Sequence, residues 1–129
     1  KMLVDYLKGH SGIDPEKVCF DHAEGHTIGM IKDAGFWASM TIYPITKNSP
    51  GRVVDNLERF GIDRMMVDAS GDWGPSDPGT LHDALFEMRR RGHDDDVVET
   101  VFYDNPCYFL GQSPKFKHKP RKPRSEAWE

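Results

Sequence analysis

Three short apolar runs, each followed by a stretch of helical spacing, limit the folds open to this chain more than any other feature. Residues 17–21, 36–42 and 64–69 have strand length, and their central positions are mostly apolar, the pattern of strands buried on both faces. Helical patterns follow them over residues 27–34, Pro50–Phe60 and 79–91. Gly35, Gly61 and Gly92 stand where these helices should stop, and Ser49 with Pro50 gives the second a cap and a preorganised first residue. Strands alternating with helices predict right-handed crossovers and a parallel sheet, hence an α/β fold.

Further helices are expected at either end. Residues 2–8 have apolar positions at helical spacing, with Met2 already in the pattern and no cap before it, as expected of a chain that begins inside an element. Residues 94–103 form another, with Asp94, Asp95 and Asp96 in its first turn, where they suit the helix dipole better than a metal. Three strands leave two open edges, so the sheet is either small and complete or the last part of a larger barrel.

The 129 residues suit one domain or part of one, and no apolar run nears the length of a membrane span. A cytoplasmic location without membrane association is expected. Cys19 and Cys107, far apart and each in an apolar context, are expected to be buried, reduced thiols. The net charge is −4, yet residues 115–129 carry six Lys/Arg against two Glu, so the acidic excess belongs to residues 1–114. With little to bury, residues 115–129 read as a disordered basic tail that solubilises the chain; nucleic acid is the less favoured use of its charge.

Function in parallel-sheet folds gathers at the carboxyl ends of the strands. Here those ends read Asp21-His22-Ala23-Glu24-Gly25-His26, Thr41-Ile42-Tyr43-Pro44-Ile45-Thr46-Lys47 and Asp68-Ala69-Ser70-Gly71-Asp72-Trp73-Gly74. His22 is the best placed imidazole for a divalent metal, balanced against a histidine that only hydrogen-bonds its loop. Glu24 and His26 are candidate ligands or substrate contacts, or simply the start of the next helix. Asp72, between Gly71 and Trp73, is the candidate catalytic carboxylate: glycine lets backbone approach a ligand, and the Trp73 ring can exclude water. Asp68 lies within its strand, and Asp77 sits at a capping position. Lys47 precedes a helix N-terminus and could hold an anionic group, or stand free in solvent.

Taken together, residues 21–27, 41–50 and 71–78, with Asn105-Pro106 and Phe109-Leu110 near the end, resemble the C-terminal half of a TatD-like metal-dependent hydrolase of the amidohydrolase superfamily. The resemblance spans about residues 1–116 and implies the last three strands of an eight-stranded (β/α)8 TIM barrel, residues 1–114 being its C-terminal half. It implies a divalent metal (Zn, Mn or Mg), with His22 as metal or substrate-phosphate ligand on the sixth strand and Asp72 as carboxylate on the eighth. Glu24, His26, Lys47 and Trp73 would then face a small-molecule or phosphoester substrate. Gly71-Asp72-Trp73-Gly74 departs from the Thr-Asp-x-Pro of the family's nucleases, which separates the chain from a nuclease substrate more than from the metal. Two ligands hold no metal tightly, so water-activating cleavage of an ester, amide or phosphoester is expected only with the N-terminal barrel half. The alternative is a small α/β binding module for an anionic ligand.

Overall fold

A computed structural model describes residues 1–43, 47–71 and 76–128. The described chain is α/β. Helix α1 (Met2–Lys8) leads through a tight turn at Pro15–Lys17 into β1 (Cys19–Phe20). Then come α2 (Ile28–Asp33), β2 (Trp37–Ile42), α3 (Pro50–Phe60), β3 (Met65–Ala69) and α4 (Thr80–Arg90). A last helical run comprises α5 (Asp95–Glu99), a π-helical stretch at Thr100–Asp104 and α6 (Asn105–Leu110), and α7 (Arg124–Ala127) follows. None of the described helices is long and apolar enough to cross a membrane.

The three strands form an open parallel sheet in the order β1-β2-β3, with Cys19 beside Trp37 and Thr41 beside Asp68. Side chains alternate between the two faces of such a sheet. On one face Ala38, Met40, Ile42, Met65 and Val67 join Ile28 and Ile31 of α2, Val53, Val54 and Leu57 of α3, and Ala84 and Met88 of α4 in one buried core. The crossover helices therefore all lie on the same side. The other face presents Cys19, Trp37, Ser39, Thr41, Met66 and Asp68.

At the amino ends of the strands that second face is closed by the end of the chain. Trp37, fully buried, meets the rings of Phe109 and Trp128 at 5.5 and 6.0 Å. Arg124 stacks over Trp128 and donates to both oxygens of Glu16, at 2.6 and 3.0 Å; Arg64 Nε reaches the same carboxylate at 2.8 Å. Asn105 Nδ2 donates to the carbonyls of Ile62 and Met65, and Trp128 Nε1 donates to Asn105 Oδ1. Asp104, wholly buried, accepts from Arg121 backbone N–H, Nε and Nη2.

Residues 121–128, within the stretch expected to be a disordered tail, are thus tied to the body. The expectation weighed only apolar burial, whereas these contacts are charge-assisted hydrogen bonds and one tryptophan.

Candidate functional site

The carboxyl ends hold a different kind of chemistry. Beyond β1, Ala23 N–H donates to Ser39 O at 2.8 Å, and Asn48 Nδ2 donates to Ala23 O at 3.2 Å and Thr41 O at 3.5 Å. Gly25 presses on Asn56 of α3, where a Cβ would stand 2.9 Å from the amide oxygen. The turn is pinned on both sides of His22, which adopts a left-handed φ of 56° while its N–H donates to Asp21 Oδ1. Positive φ is uncommon outside glycine, and where the surroundings enforce it, functional sites are frequent.

Asp21, His22, Thr41, Ser39 and Asp68 form one polar cluster. His22 Nδ1 lies 2.7 Å from Thr41 Oγ1, and Thr41 Oγ1 donates to Asp21 Oδ1 at 3.2 Å. Ser39 Oγ donates a short hydrogen bond to Asp68 Oδ2. Burial pushes the Asp68 carboxyl above its ordinary range; the Ser39 and Thr41 hydroxyls oppose this, and nearby Asp21 reinforces it. Below them an open cavity of about 380 Å³ is bounded by Cys19, Met66, Phe109 and Leu110. Burial first, then the charges of Asp21 and Asp68, push the Cys19 thiol up to about 12, so it is no nucleophile at neutral pH.

Of the residues singled out from sequence, His22 joins this cluster, with half its side chain exposed. Glu24 and His26 lie farther along the loop and face each other at 3.7 Å, with the His26 side chain 78% exposed. Lys47 is half-buried and donates its backbone N–H to Tyr43 O. Asp72 and Trp73 lie outside the described residues. Asp77 Oδ1 accepts Gly79 N–H in the turn before α4, and Asp94 Oδ1 caps α5 through Val97 N–H. Among the described residues no three His, Cys, Asp or Glu side chains stand close enough together to hold a metal ion.

Sequence reasoning passed over Ser39, Thr41 and Asp21 as members of the site. The signal was the two-residue spacing of Ser39 and Thr41 within an otherwise apolar strand, which sets both hydroxyls on one face. Comparisons with protein families, curated proteins and solved structures found no match to the chain.

Proposed function

We propose that this chain is the C-terminal part of a TIM-barrel hydrolase of the TatD-like kind, which activates water on a divalent metal to cleave an ester, amide or phosphoester. One observation carries the proposal. The strands are parallel and in consecutive order, their crossover helices share one face, and the opposite face becomes polar toward the carboxyl ends. Doubly wound sheets place crossover helices on both faces, whereas a barrel wall keeps its crossovers outside; here only the end of the chain, through Phe109 and Trp128, lies against the other face.

The nitrogen of His22 and a carboxylate such as Asp72 are donors suited to Zn²⁺ or Mn²⁺. The described residues bring no three such donors together, and in this reading further ligands come from other strands. When bound, a metal of this kind lowers the pKa of water to about 7. The chain's own share is to present His22, to supply Asp72 as proton acceptor and to shield the mouth with Trp73. Glu24, His26 and Lys47 flank the substrate. The two free thiols, Cys19 and Cys107, support a cytoplasmic location. Arg121, Lys122 and Arg124 are engaged with Asp104, Asp96 and Glu16, which disfavours nucleic acid as the tail's partner. The anion-binding alternative is weakened because the Ser49 hydroxyl already takes the Arg52 N–H at the start of α3.

The test is the metal content of a longer chain carrying the upstream strands, purified without chelator. Stoichiometric Zn²⁺, Mn²⁺ or Mg²⁺ is expected, with hydrolysis abolished by Asp72→Asn. A metal-free protein refutes the hydrolase, and full turnover in Asp72→Asn clears that residue.

A further inference from the structure

The contacts of Thr41 go beyond packing. Its side chain is almost wholly buried and has a single hydroxyl proton. Asp21 Oδ1 faces that hydroxyl at 3.2 Å, and the Asp68 carboxyl also draws on it. The hydroxyl donates to Asp21 Oδ1, so its one proton is taken and the Thr41 oxygen is left to accept. The remaining neighbour is His22 Nδ1, at 2.7 Å. If Nδ1 were bare, it would compete with Asp21 for the single Thr41 proton, and one of the two contacts, at 2.7 and 3.2 Å, would go without a hydrogen.

We infer that Thr41 is a positioning residue that fixes neutral His22 as its Nδ1–H tautomer and leaves Nε2 as the bare, outward nitrogen. Nε2 is 3.8 Å from Asp21 Oδ2, beyond hydrogen-bond reach, and the half-exposed ring leaves it open. Asp21 and Asp68 are the acidic groups facing this pair. Free imidazoles favour the opposite tautomer, so the bias is set by the protein. Asn48, through Ala23 O and Thr41 O, keeps the His22 turn and the Thr41 strand end together. The consequence for ligation rests on the hydrolase reading: Nε2, not Nδ1, is the nitrogen presented to a metal or phosphate.

The experiment is ¹⁵N-histidine NMR of the 129-residue chain at a pH where imidazoles are neutral, with His22 assigned by its loss in His22→Gln. The wild type should show Nδ1 in the protonated range and Nε2 in the bare range. Thr41→Val, similar in shape without the hydroxyl, should shift His22 toward Nε2–H, and Thr41→Ser should restore the wild-type pattern. An Nε2–H tautomer in the wild type overturns the inference, as does an unchanged tautomer in Thr41→Val. Should Thr41→Val fail to fold, the wild-type and Thr41→Ser spectra still decide. The readout needs no metal: a metal-free longer chain with the Nδ1–H form refutes the hydrolase and leaves Thr41's role intact, and the converse result refutes only the role.

Discussion

The two ends of one sheet face are built on opposite principles. At the amino ends, Trp37 is sealed under Phe109 and Trp128, and the charges there are matched, Glu16 by Arg124 and Arg64, Asp104 by Arg121. At the carboxyl ends, two carboxylates and a half-exposed imidazole share two hydroxyls, and Asp68 is disfavoured as an anion. The first arrangement stabilises the fold. The second leaves unspent hydrogen-bonding capacity, as expected where a ligand completes the set.

The sharpest way to break this contrast is Trp37→Ala. Removing a fully buried indole should cost about 3–5 kcal/mol in urea unfolding. Asp68→Asn, on the same face nearer the carboxyl ends, should be neutral to stabilising at pH 7, since it removes a carboxyl disfavoured as an anion. If the two cost the same, the carboxyl end is as structural as the amino end.

Whether each region was legible in the sequence follows from the range of its contacts. Helix α3 could be bounded because Ser49, Pro50 and Gly61 act on the backbone next to them; the Ser49 cap forms, and Gly61 has a φ of 77°. The parallel sense of the strands followed from alternation with helices. His22 could be placed by its position after β1, but its partner Thr41 is 19 residues away and found only once β1 and β2 are paired. The docked tail was illegible for the same reason, since Arg124 meets Glu16 across 108 residues and no local pattern marks that pair. The helix read over residues 94–103 continues through a π-helical turn into α6 (Asn105–Leu110), where Pro106 occupies a first-turn position that needs no N–H partner.

The pH dependence of stability should separate the two ends by sign. The Arg124 and Arg64 bonds hold Glu16 down at about 2, against some burial that works the other way. A depressed carboxylate contributes stability that is present above its unfolded value near 4.5 and lost as pH falls toward about 2. With solvent screening, about 1–2 kcal/mol should disappear over that interval, and Glu16→Gln should flatten it. Asp68 has the opposite sign. Its raised value makes stability fall as pH rises from 3.8 through the folded titration, and Asp68→Asn should remove that loss. Urea titrations from about pH 2 to neutrality read both; an acid limb unchanged in Glu16→Gln would show that the amino end is not held by its ion pairs.

The smallest effect expected is at Ser49. Its hydroxyl caps α3 at 3.3 Å from Arg52 N, next to Asn48 in the chain. Ser49→Ala should cost about 1 kcal/mol in urea unfolding, the usual price of a lost cap, and leave the His22 tautomer unchanged. Asn48, not Ser49, makes the side-chain hydrogen bonds to Ala23 and Thr41, so the cap and the histidine turn should respond independently. A much larger loss, or a tautomer shift in Ser49→Ala, would mean that α3 braces the polar cluster directly, and the carboxyl end would then be as tightly constrained as the amino end it is contrasted with.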